Sequence, residues 1–332
     1  MSVKIAVLGA GNMGRGHGKR LEAAGARIVA VCDRSAAARQ KFKEEMEEMD
    51  IKEYWDFDEM LEKEAFEGLF ICLPPFAQDG QFEKAAKRGK HIFIEKPIAL
   101  DTETGKRMVK TAQENGIITR VGFHMRQGEA VKKLKQLIES GKTGRPVLFY
   151  GHYACNSLHT PWWIQVDLCG GQIFEQAIHL YDMCRYLIGE PKSVTGIMNN
   201  LCHGNTARYT VEDVSASVSL FGNGAAASIT ANNCEIPGIW KGSFKAVYEH
   251  VTVEFEDHNH AVFTYTDGEQ PETEAVSSET DAYEDEVREF LMCIENGKDT
   301  SCNITEGYKS LCFVEAVVES ANMDGIKTAV KK

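Results

Sequence analysis

What this chain lacks narrows its class before any motif is read. Its ten cysteines, at 32, 72, 155, 169, 184, 202, 234, 293, 302 and 312, include no C-x-x-C pair, so neither a zinc ribbon nor a thioredoxin-like centre has support. Several sit in apolar runs, Cys72 within 69–73 and Cys312 beside Phe313, where a free thiol packs as a small hydrophobe. All ten are expected to be reduced, as in a cytoplasmic protein. No run of ~18 apolar residues occurs, so no membrane span is expected. The apolar start is short and runs straight into a glycine motif, which makes it a first strand rather than a signal peptide. An excess of positive charge is missing too. With 37 Lys and Arg against 49 Asp and Glu, the formal net charge is −12, which argues against a nucleic-acid partner and suits small-molecule ligands. Internal repeats and low-complexity tracts are absent.

What is present is ordinary globular material. The 332 residues suffice for about two domains, and 43% hydrophobic against 26% charged residues can bury a real core. Short β-branched runs at 3–8, 27–32, 68–73, 91–94 and 117–122 alternate with helical patterns at 15–24, 36–49, 59–64, 80–88 and 102–114. Gly25, Gly89 and Gly116 close three of those helices. This alternation predicts an α/β fold, a doubly wound parallel sheet covered on both faces. The pattern changes near residue 123, giving domains 1–122 and 123–332. A helix at 130–139, a strand at 147–153, an irregular stretch with Pro161-Trp162-Trp163 and a helical period over 173–187 come next. Strands follow at 194–198, 213–221, 225–232, 244–248, 251–256 and 261–265, with Asn223-Gly224 as a hairpin turn. These predict a mainly antiparallel sheet with helices on one face. The acidic stretch 267–279 reads as a loop, and 281–296 and 306–321 as closing helices.

Gly9-x-Gly11-x-x-Gly14, with Asn12 and Met13 inside it, follows a strand and opens a helix. Glycines there permit a tight turn and close approach of backbone to a pyrophosphate, which the helix N-terminus stabilises. Asp33 ends the second strand about 20 residues on, where a carboxylate accepts from both ribose hydroxyls of NAD and repels a 2′-phosphate. Arg34 beside it could pair with that phosphate or stack on adenine, so NAD is favoured and NADP stays open. Leu73-Pro74-Pro75 ends the strand 68–73, and its stiff backbone could pass beside the ribose.

Two further groups carry chemistry. Glu95-Lys96-Pro97 follows the strand 91–94, at the sheet edge where doubly wound folds bind ligands. A lysine beside a nicotinamide meets its positive charge and partial burial, both favouring the neutral amine useful in proton transfer. In Cys169-Gly170-Gly171-Gln172-Ile173-Phe174-Glu175-Gln176-Ala177-Ile178-His179, Glu175 and His179 lie at i,i+4 and would share a helix face. A carboxylate one turn from an imidazole can orient it or raise its basicity. The pair could also ligate a metal, but no third ligand accompanies it and none is expected. Asp182 reads as a structural partner of Arg185 at i+3.

Taken together, Gly9–Gly14, Pro74-Pro75, Glu95-Lys96-Pro97, Phe123-His124-Met125-Arg126, Gly141-x-x-Gly144 and Gly170-Gly171 through His179 and Asp182 resemble the Gfo/Idh/MocA family of NAD(P)-dependent oxidoreductases, over nearly the whole chain. The resemblance implies a Rossmann domain and a C-terminal α+β domain with an open, mainly antiparallel sheet that forms a homodimer or homotetramer. It implies hydride transfer between a nicotinamide and a hydroxyl-bearing carbon of a sugar or cyclitol, with Lys96 holding the hydroxyl and His179 as general acid/base. Glu95 joins the cofactor contacts. The family's aspartate four residues before the histidine is Glu175 here, which resembles a branch with G-G-Q-x-x-E-Q, and its usual histidine after the strand 68–73 is Gln78. Trp162-Trp163 fall where the family carries a tryptophan, to stack on a sugar or to pack in the core. Trp163 and Tyr283, with His152, Asn156 and His159, are candidate substrate contacts. Two other readings stay open: cleavage of a glycoside by transient oxidation with catalytic NAD, and an NAD-binding sensor without catalysis.

Overall fold

The computed structural model describes residues 2–48 and 50–331. The chain opens with β1 (Lys4–Leu8), α1 (Asn12–Ala23), β2 (Arg27–Cys32), α2 (Ala36–Glu44), β3 (Lys52–Tyr54), α3 (Phe57–Lys63), β4 (Gly68–Ile71), α4 (Gln81–Lys87), β5 (His91–Ile94), α5 (Thr102–Asn115) and β6 (Thr119–Val121). All six strands are parallel, in the order β3-β2-β1-β4-β5-β6. Helices cover both faces, so β4 and β5 read as unbroken apolar runs. Side chains of Ser35, Asp56 and Asp101 accept from Ala38, Glu59 and Thr104 backbone N–H groups and start α2, α3 and α5.

Helix α2 stops at Glu44, short of the expected 36–49. Beyond it, Glu22 Oε1 accepts the N–H groups of Glu47 and Glu48 at 2.9 Å each, which takes these donors out of a helical ladder. Met49, the last residue of that expectation, lies outside the described residues. The three residues of β3, two of them exposed, carry too little pattern to be read in advance.

The second half contains α6 (Glu129–Glu139), β7 (Pro146–Ala154), α7 (Val166–Cys169), a π turn at Ile173–Ala177, α8 (Ile178–Ile188), β8 (Pro191–Asn199), β9 (Val214–Phe221), β10 (Ala226–Asn232), β11 (Lys241–Tyr248), β12 (Val251–Phe255), β13 (Ala261–Tyr265), β14 (Glu272–Val276), α9 (Ala282–Asn296), α10 (Ile304–Asn322) and β15 (Thr328–Ala329). Nine strands form one sheet in the order β14-β13-β12-β11-β7-β10-β9-β8-β15. It is antiparallel except where β7 and β10 pair in parallel. The expected loop at 267–279 holds β14, which pairs residue for residue with β13 from Val276 opposite Ala261 to Glu272 opposite Tyr265. Its acidic face is what hid it: a charged edge strand resists pairing with another sheet and lacks an apolar period.

The chain divides into two compact units, at boundaries other than a single cut after residue 122. One runs to His124 and includes Asp281–Tyr308; the other comprises Met125–Thr280 and the chain from Lys309 onward. The excursion of 281–308 has a packing cause. Val287, Phe290 and Leu291 of α9 are buried in the same cluster as Ile5, Val7, Phe70 and Phe93. Phe290 meets Phe70 and Phe93 edge-on, with centroids 5.6 and 6.0 Å away.

The expectation of ten reduced cysteines is corrected here. Cys202 and Cys234 form a disulfide, with Cα atoms 6.2 Å apart, and the other eight are not disulfide-bonded. The Asp213 carboxylate accepts the N–H groups of Leu201, Cys202 and His203 at 2.7–2.8 Å, which curls the segment after β8 toward Cys234.

Candidate functional site

The glycine loop occupies the turn from β1 into α1. Gly9 has φ +96°, and a Cβ there would sit 2.7 Å from the Cys72 carbonyl oxygen. A Cβ at Gly14 would overlap the Gly9 carbonyl, so these two glycines are required by the chain's own backbone. Gly11 is different: a Cβ there would meet nothing within 4 Å. The space beside it at the start of α1 is open, as a pyrophosphate approaching that helix end would require. Asn12 and Met13 are exposed at the same helix start.

Asp33 is fastened to this loop. Its Oδ2 accepts from Ala10 N at 2.8 Å and its Oδ1 from Ser35 N at 2.8 Å, which leaves further lone pairs for ribose hydroxyls. Arg34 is exposed beside it. Arg15 is a residue the sequence reading missed. Its guanidinium donates to the Ala10 carbonyl at 3.0 Å and to Asn12 Oδ1 at 2.7 Å, bracing the loop from within its helix. Leu73 and Pro74 follow β4 half-buried, and Pro75–Ala77 form a single 3-10 turn ahead of Gln78.

Lys96 is half-buried just past the end of β5. Glu95, expected among the cofactor contacts, turns its carboxylate inward. Its Oε1 lies 2.7 Å from His17 Nε2 and its Oε2 accepts the Lys96 N–H at 3.2 Å, so a ligand would meet only its backbone. Tyr283 belongs to the first unit. Its ring stacks on His124 at 3.9 Å and carries the Arg20 guanidinium at 4.8 Å.

In the second unit Gly170 and Gly171, with φ of +82° and +101°, turn the chain from α7 into the π turn. The expected regular helix over 173–187 is therefore a π turn followed by α8, and Glu175 stands on the widened turn while His179 stands on the α-helix. π turns inside helices recur at functional positions. Glu175 Oε2 accepts from the Trp163 indole N–H at 2.8 Å. Trp163 is 1% exposed, so it packs in the core and anchors Glu175; no face of it is open for stacking on a sugar. His159, with φ +49°, leans its ring on Trp163 at 4.2 Å and places Nε2 2.6 Å from Gln176 Nε2. His152 and Asn156 are both tied to Glu235, through its carboxylate at 2.8 Å and its carbonyl at 2.9 Å.

Asp182 is structural, but its principal partner is Arg126. The guanidinium grips it with two bonds of 2.7 Å, Ser310 donates at 2.7 Å, and Arg185 stands 3.7 Å away. Glu212 is a second residue that the sequence did not announce. Its Oε1 accepts from Ile173 N at 2.7 Å at the start of the π turn, and burial pushes its carboxyl up to about 7. A Cβ at Gly171 would overlap that carboxylate, which explains the second glycine of the pair.

The chain is similar to known proteins in sequence and in fold. Residues 3–123 match the model of an oxidoreductase family with an NAD-binding Rossmann fold, and residues 131–238 match the GFO/IDH/MocA C-terminal domain. The chain is 29% identical over 310 residues to scyllo-inositol 2-dehydrogenase (NAD(+)) of Bacillus subtilis (strain 168), covering 89% of this chain and 87% of that protein. It is 32% identical over 220 residues to 2,7-anhydro-N-acetylneuraminate hydratase of Mediterraneibacter gnavus, covering 64% and 57%. Levoglucosan dehydrogenase in complex with NADH and L-sorbose superposes with a TM-score of 0.90 over 100% of both chains at 22% identity, which establishes the fold.

Proposed function

The chain belongs to the Gfo/Idh/MocA family of NAD-binding oxidoreductases, and from that premise we propose that it moves hydride between NAD and a hydroxyl-bearing carbon of a cyclitol, sugar or glycoside. The observation carrying this reading is the likeness to the scyllo-inositol dehydrogenase across 89% of the chain, beside the glycine loop, Lys96 and His179 that this chain carries. Gly9–Gly14 would hold the pyrophosphate and Asp33 the adenosine ribose. That carboxylate is fixed on the loop by Ala10 N–H, and its charge favours a free 2′-hydroxyl over a phosphate.

When bound, NAD supplies the hydride acceptor. The residues of the chain handle the proton. Lys96 donates a hydrogen bond to the reacting hydroxyl oxygen and steadies the negative charge that develops there. His179 takes the hydroxyl proton as the carbonyl forms, and returns it in the reverse direction. Glu175, held by the Trp163 indole, stands one helical step before that histidine and orients it. Roles of this kind predict that Lys96→Met lowers turnover by roughly 10²–10⁴-fold while NAD still binds. A screen of NAD reduction over inositols, sugars, sugar acids and glycosides, with isothermal titration of NAD, checks both. Undiminished turnover in that variant would end this assignment.

A second reading is favoured by the relative named as a hydratase, a reaction without net oxidation. Transient oxidation of one sugar carbon would acidify its neighbour and release a glycosidic or anhydro bond, with the hydride then returned. Sugar release without accumulating NADH distinguishes it.

The nine-stranded sheet supports self-association. Along β9 the usual pattern is inverted: Ser215, Ser217 and Ser219 are buried while Val218 and Leu220 are exposed. Ile197 of β8, Tyr150 of β7 and Val262 of β13 are exposed on the same face as Val218. An apolar face of this extent suits a homodimer or homotetramer.

A further inference from the structure

Behind the Lys96 turn lies a buried group of ionisable side chains that the proposed reaction does not use. His17 of α1 is fully buried, Glu95 is 7% exposed and Glu286 of α9 is fully buried. One ligating atom from each lies within 4.8 Å of the others. The His17 ring is caged by Phe93 at 4.9 Å, Phe70 at 5.5 Å and Tyr283 at 6.4 Å. If it served packing alone, an apolar ring would fill this cage without stranding a polar atom. Instead Nε2 reaches Glu95 Oε1 at 2.7 Å, and Nδ1 is buried with no hydrogen-bond partner. One ring nitrogen is thus spent on the carboxylate, and the other is left unpaired among aromatic rings.

We propose that His17 is a positioning residue for Lys96, acting through Glu95. The histidine pins one carboxylate oxygen; the other accepts the Lys96 N–H, so the backbone that launches the lysine from β5 is held in one orientation. Gly122 makes room for the carboxylate, since a Cβ there would lie 2.8 Å from Oε2. His17 also sits one turn past Gly14 on the helix that starts at the nucleotide loop, so a single hydrogen bond ties that helix to the Lys96 turn. The inference rests on the reading that Lys96 holds the reacting hydroxyl.

Both oxygens of Glu286 are buried without hydrogen-bond partners, and burial raises its carboxyl well above the usual range. Arg120 of β6 gives Nη1 to Glu289 and Ser301 and brings Nη2 to 3.6 Å from Glu286. From the other elements Arg20, Cys72 and Tyr283 face the group, Arg20 being paired with Asp281.

The test compares His17→Leu, which keeps the packing, with His17→Gln, whose amide nitrogen can reach the position of Nε2. Lys96→Met is run in parallel. Two readouts are taken: kcat and KM with the titrated affinity for NAD, and the rate of reductive methylation of Lys96, followed by mass spectrometry without any substrate. The expected result is a roughly 10–100-fold lower kcat in the leucine variant, little change in NAD affinity, an altered Lys96 methylation rate, and recovery of both in the glutamine variant. If both variants methylate Lys96 as the parent does, the positioning role is overturned whatever their turnover. If methylation shifts as expected while Lys96→Met turns over normally, His17 positions the lysine and it is the catalytic reading that fails. Should the leucine variant not fold, Glu95→Gln takes its place, and an unchanged methylation rate there overturns the proposal equally.

Discussion

Glu212 shows how one residue ties chemistry to folding. It is buried at the start of the π turn, accepts from Ile173 N–H, and holds its proton up to about 7 against 4.5 for an ordinary glutamate. The raised value sets the sign. In the unfolded chain the carboxyl ionises near 4.5, whereas in the fold it keeps its proton until about 7. Stability from this group is therefore full below the lower value and is lost as pH rises through that window, by of order 3 kcal/mol. Glu212→Gln mimics the protonated form, so its melting temperature should vary less with pH across the window than that of the parent. Thermal melts at a series of pH values read this directly, and an unchanged pH slope would show that the carboxyl is already ionised in the fold. No spacing marks Glu212 in the sequence, because the backbone donor it meets belongs to a segment about 40 residues away. Asp33 was legible because its place at the end of a second strand is dictated by local alternation. Asp182 was half legible: its structural role could be read, but Arg126, 56 residues upstream, took the position expected of Arg185.

At the scale of elements, periodicity reported where a helix runs but not its pitch. The 173–187 pattern is helical, yet the first turn widens to π geometry, and the stagger between Glu175 and His179 changes with it. Gly170 and Gly171, both with positive φ, carry the chain into that turn. Gly171→Ala should destabilise the protein by ~1–3 kcal/mol, since it combines a left-handed backbone with a Cβ aimed at the Glu212 carboxylate. Urea unfolding would measure the loss, and the same variant should lose turnover with little change in NAD affinity, because the glycine loop lies in the other unit. Strand β14 escaped notice for the opposite reason to most missed strands: its pairing is regular, but Glu272, Glu274 and the flanking acids hide any apolar alternation.

For the whole molecule, the exposed apolar rows of the nine-stranded sheet make a prediction about assembly. Ile197→Asp and Val218→Asp together place two charges on that face, and light scattering after gel filtration should show the oligomer replaced by monomer with the fold intact. A parent protein that is already monomeric would remove the assembly proposal. The chain by itself determined the local facts: the βαβ alternation, the glycine loop with its acidic partner, the lysine after β5 and the histidine helix all follow from short-range steric and periodic rules. Tertiary structure decided what depends on meetings between distant segments. Those are the return of α9 to the first core, the Cys202–Cys234 bond, the Trp163 clasp on Glu175 and the His17–Glu95 bond behind Lys96. Each depends on which buried surfaces and unpaired polar groups find one another once the chain has collapsed, and no pattern along the sequence encodes that.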